Sequence, residues 1–264
     1  MPFAVVIPAS PESPWLAACV ASVRAQHPTA IYVVSEVKHR HVEAQHVVTK
    51  RGHGFATRAN LGLLQARADG HDRALLLNDD TELRDNSLSA LAACKSPVCG
   101  AVLEHWTGGV QQAGLRVSLR TARVVARTSI STDGSVDAIG GAALCLDLAL
   151  FDRLGGFDER FHFYFEDVDF CLRARAAGAN ITLVPGARIR HHGGGTRSHS
   201  SPEAAFHLGR SHALLARGLS GHGTWLRLVT VASAGSAWTL RKVGLSGIRE
   251  FARGFAEGLS TPAA

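Results

Sequence analysis

Ala74-Leu75-Leu76-Leu77-Asn78-Asp79-Asp80-Thr81 is the stretch on which the reading of this 264-residue chain turns. An unbroken apolar run of this length fits a strand buried on both faces, and such strands belong to parallel sheets covered by helices. The run stops abruptly at Asn78-Asp79-Asp80. A buried strand that ends in carboxylates delivers them to the carboxyl edge of the sheet, where open α/β sheets bind ligands. Hard divalent cations such as Mg²⁺ take oxygen ligands, and they use few protein carboxylates alongside substrate phosphates. The plainer alternative is a polar turn in which an Asp caps the next helix.

The flanking sequence repeats the same rhythm. Residues 3–7 form a short apolar run closed by Pro8. Residues 14–24 carry Leu16, Val20 and Val23 at helical spacing. Strands are predicted at 31–34, 47–48 and 74–77, and helices at 56–68 and 87–93. This βαβαβ order predicts an α/β fold, a Rossmann-like and mostly parallel sheet flanked by helices. Farther on, 101–103 and 136–146 read as extended and 166–177 as a helix ending at Gly178. Residues 181–184 read as a strand stopped by Pro185. Two helical stretches follow, 203–218 and 224–258. The expected organisation is one domain over 1–200 and a helical, basic extension over 201–264.

Composition narrows the function classes. Hydrophobic residues make up 46% of the chain, enough for a sizeable core, and the formal charge of +6 favours anionic partners. Nucleic acid, sugar nucleotides and acidic membrane surfaces all satisfy that charge. No nucleic-acid motif is present, and two Tyr and four Trp offer little for base stacking, so nucleic acid is not expected as a partner. Cys19, Cys94, Cys99, Cys145 and Cys171 are scattered, odd in number and free of any C-x-x-C pair. Reduced, mostly buried thiols are the better reading. Residues 1–8 lack the basic and apolar regions of a signal peptide. No run reaches the roughly 18 apolar residues of a spanning helix. A cytoplasmic protein is expected, or one peripheral on the inner membrane face.

Two further constellations bear on chemistry. Gly155-Gly156-Phe157-Asp158-Glu159 precedes Phe165-Glu166-Asp167-Val168-Asp169, which puts three carboxylates into the first turn of a helix. The helix dipole favours their ionised form, as a general base at neutral pH requires. Acids in a first turn also simply stabilise a helix, yet here they repel one another. The aromatics Phe157, Phe161, Phe163, Tyr164 and Phe165 read as core, or as a wall for a sugar acceptor. Downstream, Pro185-Gly186-Ala187-Arg188-Ile189-Arg190-His191-His192 is followed by Gly193-Gly194-Gly195. Histidines after a strand can ligate a metal, and a glycine run lets a loop approach phosphates.

Order and spacing of these motifs resemble the family 2 glycosyltransferases of GT-A fold, especially the rhamnosyltransferase-like branch. The resemblance runs from residue 5 to about residue 198. It also takes in Gly54-Phe55-Ala56, Asn60-Leu61-Gly62 and Gly140-Gly141-Ala142. What it implies is an inverting transfer of a sugar from a nucleotide-diphosphate donor to a hydroxyl acceptor, in polysaccharide biosynthesis or on a lipid-linked or small-molecule acceptor. It implies Asp80 and His191 as ligands of Mg²⁺ or Mn²⁺, and Asp167 as general base with Glu166 and Asp169 beside it. Pro8, Ser10, Glu36, Gly54, Asn60, Asn78 and Asp79 fall on the donor side. The family's second strand usually ends in an Asp that reads the nucleotide. Here the strand ends Val33-Val34-Ser35-Glu36, so Glu36 substitutes or the base is read otherwise.

Three rival readings stand beside this one. A sugar nucleotidyltransferase would carry a Gly-rich basic loop after the first strand, whereas this chain has Ala9-Ser10-Pro11-Glu12-Ser13-Pro14. A non-catalytic sugar-nucleotide binder would hold donor without turnover. A metallohydrolase on His191 and His192 would need closer ligand spacing. The tail carries Arg210, Arg217, Arg227, Arg241, Lys242, Arg249 and Arg253. Basic amphipathic helices lie on anionic membranes. Packing on the domain, or on a second subunit in a homodimer, is the alternative.

Overall fold

The computed structural model describes residues 3–130, 134–193, 201–219 and 223–262. Strands β1 (Phe3–Pro8), β2 (Ala30–Ser35), β3 (Gln45–Val48) and β4 (Arg73–Leu77) pair in parallel in the order β3-β2-β1-β4. Helices α1 (Leu16–Arg24) and α2 (Phe55–Ala68) make the crossovers. After β4 the sheet turns mixed. The short β5 (Thr81–Leu83) and α3 (Ser87–Ala93) lead into β6 (Val98–His105). A small excursion follows, β7 (Val110–Gln112), β8 (Leu115–Val117) and β9 (Val124–Ala126). Strand β10 (Ala143–Asp147) then inserts antiparallel between β4 and β6. Helices α4 (Leu148–Arg153) and α5 (Glu166–Ala176) precede β11 (Ile181–His191), which pairs parallel to β6 and antiparallel to β5.

Period-two alternation divides the core between the faces of this sheet. On one face Ala4, Val6, Tyr32, Val34, Leu76 and Leu144 pack beneath α2 and α5. On the other, Val5, Ile7, Val33, Leu75, Leu77 and Cys145 pack beneath α1 and α3. Both faces of β1 and β4 are therefore dry, which explains why these strands read as unbroken apolar runs. The cysteines are free, with Cys94 half-buried and the other four buried.

Three sequence expectations need correction. Strand β11 is not stopped by Pro185. It bulges over Pro185, Gly186 and Ala187 and resumes pairing at Arg188. A bulge removes the ladder hydrogen bond that proline cannot make, so the strand carries on past it. Extended pairing over 136–146 is confined to β10 and an isolated bridge at Ala138, with a turn between them. The helix expected over 224–258 is two, α7 (Thr224–Val243) and α8 (Leu245–Ser260). They part at Gly244, whose φ of 83° and ψ of −161° lie where a side chain is not tolerated.

The C-terminal helices are not loosely attached. Helix α6 (Pro202–Gly218) is capped by the Ser201 hydroxyl, which accepts from the Ala204 N–H at 3.0 Å. It sends Leu214 and Leu215 into the core. Helix α8 packs on α6 at backbone contact, since a Cβ on Gly254 would overlap the Phe206 carbonyl. Arg227 of α7 donates to the carbonyls of Leu119 (2.8 Å) and Leu219 (2.7 Å).

Candidate active site

A cavity of about 1040 Å³ opens at the carboxyl ends of β1, β2 and β4. Pro8, Ser10, Glu36, Asn78, Asp79, Asp80, Glu166, Asp167 and His191 all line it. One wall comes from the end of β4. The Asp79 carboxylate turns back and accepts from the Ser10 N–H at 2.9 Å, which fixes the β1–α1 loop. Burial pushes the Asp79 carboxyl above the usual carboxylate range, and that N–H opposes the shift. Asp80 faces the other way. Its Oδ1 lies 3.3 Å from His191 Nε2.

The β11 bulge sets His191 there. Past the bulge, His191 pairs with Thr81 of β5, and the His192 N–H donates to the Asp80 carbonyl at 3.0 Å. His191 Nδ1 lies 2.8 Å from Gln111 Oε1. An amide oxygen only accepts, so Nδ1 donates in this contact. A carboxylate oxygen and an imidazole nitrogen thus stand 3.3 Å apart, residue types that suit a borderline or hard cation. His192 takes no part in it. Its ring is sandwiched between Trp15 at 3.7 Å and Trp106 at 4.0 Å, which clamps the strand end. Among the described residues no group of three or more His, Cys, Asp or Glu converges as a metal cage. Gly194 and Gly195 lie outside the described residues.

A second part of the lining begins at α5. Tyr164 and Phe165 both have φ of 69°, two consecutive left-handed residues immediately before the helix. Such conformations cost of order 1–3 kcal/mol each and persist only where the surroundings hold them. They are held from α6, where the Ser211 hydroxyl donates to the Phe163 carbonyl at 2.6 Å and His212 meets the Phe165 ring edge-on. The turn aims Glu166 and Asp167 into the cavity. Asp167 Oδ2 accepts from the Gly141 N–H (2.5 Å) and Oδ1 from the Val168 N–H (2.7 Å). Burial raises the Asp167 carboxyl, and those N–H groups oppose the rise. Glu166 is raised further, by burial first and then by the Asp167 charge, and its Oε2 is buried without a hydrogen-bond partner.

The remaining expected residues stand outside the cavity lining. Asp169 pairs with Arg173 at 2.8 Å, and burial raises its carboxyl against that pull. Asn60 is a strut, accepting from the Phe157 N–H (2.9 Å) and donating to the Phe157 carbonyl (2.9 Å) and Glu159 (3.0 Å). Gly54 caps α2 and packs on His162, whose carbonyl accepts from the Phe55 N–H at 2.8 Å. The Gly-Gly-Phe-Asp-Glu motif thus ties α2 to the loop before α5, and Asp158 is spent on Arg160 at 2.6 Å. The aromatics divide, with Phe157 and Phe161 in the core and Phe163, Tyr164 and Phe165 on the cavity.

Sequence reading missed Arg58, Gln111 and the cavity-lining Arg51. Arg58 donates to the Ala9 carbonyl (3.0 Å) and to Glu36 Oε1 (3.2 Å), and Glu36 also accepts from the Gly52 N–H (3.0 Å). A single Arg on a helix face and a Gln in a short strand have no spacing signature. Charge is lopsided across the lining: Glu12, Glu36, Asp79, Asp80, Glu166, Asp167 and Glu203 outnumber Arg51 and Arg58.

Comparison with known proteins follows the same lines. The model of "Glycosyltransferase like family 2" matches residues 1–210. The chain is 33% identical over 94 residues to the rhamnosyltransferase WbbL of Escherichia coli, covering 35% of this chain and 36% of that protein. It is 35% identical over 105 residues to an N-acetylglucosaminyl-diphospho-decaprenol L-rhamnosyltransferase of Mycobacterium tuberculosis, covering 39% and 31%. The chain thus aligns with about a third of each of these relatives. In fold it resembles GalNAc-T7, solved with UDP, GalNAc and Mn²⁺, at a TM-score of 0.69 and 14% identity, covering 96% of this chain and 54% of that one.

Proposed function

The chain belongs to glycosyltransferase-like family 2, and from that premise we propose that it transfers a sugar from a nucleotide-diphosphate donor to a hydroxyl acceptor with inversion, by one direct displacement. The observation that carries this reading is that one cavity brings together two buried carboxylate sites. Asp80 stands with His191 on one wall, and Asp167 stands at the head of α5 on the other.

The charge of the cavity supports a divalent cation. Even with Glu166 held toward its neutral form, acids outnumber the two arginines of the lining, so positive charge that accompanies a diphosphate favours its entry. Asp80 Oδ1 and His191 Nε2 are the atoms that would hold Mg²⁺ or Mn²⁺. Bound there, the ion neutralises charge on the departing nucleotide diphosphate. Two protein ligands leave positions for phosphate oxygens, the usual arrangement for such ions. Asp79 acts earlier, holding the Ser10 loop that with Pro8, Asn78 and Glu36 forms the donor side. Arg58 keeps Glu36 in place at the end of β2, where the family's nucleotide-reading residue falls.

On the second wall Asp167 takes the acceptor hydroxyl's proton as the sugar is transferred. Each of its oxygens already accepts one backbone N–H and retains a lone pair for the hydroxyl. A carboxyl raised by burial holds that proton better than a solvated one, which suits a base working near neutral pH. Phe163, Tyr164 and Phe165 supply an apolar wall beside it. Helix α6 belongs to this side too, through Ser211 and through Glu203 on the lining. We therefore read residues 1–200 as the catalytic unit and 201–264 as an extension that completes its acceptor wall.

The names of the two rhamnosyltransferases make a deoxyhexosyl donor the first to test. Calorimetry with UDP-, GDP- and dTDP-sugars, with Mn²⁺ present, is expected to select one nucleotide. Product analysis with that donor should show sugar transfer that chelator abolishes. Full turnover in excess chelator would remove the metal from the account. Tight donor binding without turnover on any acceptor would favour the non-catalytic binder.

A further inference from the structure

Past its bulge, β11 is paired on one side only with the three-residue β5: Ile189, Arg190 and His191 lie opposite Leu83, Glu82 and Thr81. On the other side Ile189, Arg190 and His191 meet the last residues of β6, Leu103, Glu104 and His105. A strand end with so little ladder opens locally unless side chains pin it. Successive side chains point to opposite faces, so His191 and its neighbours Arg190 and His192 part company there.

Arg190 and His192 enter an aromatic stack. The His192 ring lies between Trp15 (3.7 Å, 21° between planes) and Trp106 (4.0 Å, 22°), and the Arg190 guanidinium lies over the Trp106 ring at 5.4 Å. Trp15 stands at the head of α1 and Trp106 in the turn after β6. His192 Nε2 is buried with no hydrogen-bond partner among the described residues. The ring is therefore held by its two faces, and what matters about it is that it is flat. Two contacts join this stack to the atoms beside Asp80. The His192 N–H donates to the Asp80 carbonyl at 3.0 Å. Gln111, on the strand that follows Trp106, lies 2.8 Å from His191 Nδ1. The β6–β7 hairpin thus grips both histidines, one by a ring face and one by a hydrogen bond. Trp15 in turn ends the loop that Asp79 fixes through the Ser10 N–H.

We propose that Trp15, Trp106 and His192 are positioning residues for His191: their stack pins the end of β11 so that His191 Nε2 stays beside Asp80 Oδ1. The proposal rests on the reading of Asp80 and His191 as ligands of the ion. Hydrogen-bonded groups behind a metal-binding His usually do the orienting. Here Gln111 shares that task with a ring stack, which also joins the donor-side loop to the His191 edge as one unit.

The test is Mn²⁺ binding to the intact protein, followed by the electron paramagnetic resonance signal of the free ion, beside a thermal melt of each variant. Trp106→Ala and His192→Ala should each weaken Mn²⁺ binding about 10–100-fold, the range for residues that orient a metal ligand. Trp106→Phe and His192→Phe keep a flat ring and should bind Mn²⁺ as the wild type does. Trp106 is 41% exposed, so Trp106→Ala carries the test if His192→Ala does not fold. Wild-type Mn²⁺ affinity in a folded Ala variant with lowered melting makes the stack merely structural and overturns the proposal. Phe variants as weak as the Ala variants overturn it too, because ring shape would then not be what matters. Asp80→Asn separates the two levels. If it binds Mn²⁺ as the wild type does, the ligand assignment fails and the proposal with it. If it loses Mn²⁺ while the Ala variants keep it, the positioning alone is overturned.

Discussion

The cavity has two walls that each present adjacent acids, and they are built in opposite ways. Asp79 and Asp80 end a strand buried on both faces, and each is occupied: Asp79 by the Ser10 N–H, Asp80 beside His191. Glu166 and Asp167 begin a helix entered through two left-handed residues, and Glu166 Oε2 has no partner. The first pair stands where a rigid edge supplies oxygen ligands and anchors a loop. The second stands where burial makes negative charge costly and proton uptake correspondingly favourable. Alike in sequence as Asp-Asp and Glu-Asp, they differ in what surrounds them. Under the proposed function, that difference assigns the cation to the first pair and the proton transfer to the second.

The largest effect is expected at the first wall. Asp80→Asn should abolish transfer and weaken nucleotide-diphosphate binding together, because the carboxylate that would hold the ion is lost from the donor side. Measurable transfer with wild-type donor affinity would show that Asp80 has no such task. Next in size is Asp167→Asn. A positioned base contributes about 10²–10⁴-fold, so kcat should fall within that range. The pH profile sharpens the assignment. Burial raises the Asp167 carboxyl, so wild-type activity should fall on the acid side at a pH above the ordinary Asp range. That acid limb should disappear in Asp167→Asn. An unchanged limb would move the base elsewhere, and normal turnover for Asp167→Asn, Glu166→Gln and Asp169→Asn alike would leave the cluster as a helix-stabilising first turn.

The smallest effect is on stability. Glu166 has a raised carboxyl in the folded state, so its ionised form destabilises the fold at pH above its unfolded value. Glu166→Gln should therefore stabilise the protein at neutral pH, because the amide buries no charge. The gain should shrink as pH falls toward the unfolded carboxyl value, since the wild-type group is then protonated in both states. Chemical denaturation across pH reads this directly. A destabilised Glu166→Gln at neutral pH would mean that the charge is compensated.

What the sequence made legible follows the same division. Strands β1, β2 and β4 were readable because both faces are buried, which leaves apolar runs of strand length closed by polar or proline residues. Strands β5, β7, β8 and β9 have only three residues each, too few for alternation to register. Pro185 misled because a bulge is a tertiary solution, set by the pairing of Arg188 with β6 and invisible in the local sequence. In the site, the acids could be picked out, and His191 with them through the resemblance, but the backbone N–H groups that hold Asp79 and Asp167 could not. That Asp79 turns toward Ser10 while Asp80 turns toward His191 depends on the β5 turn. Asn60 and Asp158 looked as polar as any ligand, yet they hold loops. Their spacing is that of a motif, and only their neighbours show that it is spent on structure.

The account stands most directly on donor binding to two single variants. Nucleotide diphosphate is titrated calorimetrically, with Mn²⁺ present, into Asp80→Asn and into Asp167→Asn. The account predicts wild-type affinity for Asp167→Asn and affinity at least about tenfold weaker for Asp80→Asn, the loss expected when an ion bridging protein to phosphate goes. Equal affinities in the two variants, or the reverse order, would contradict the division of labour between the walls.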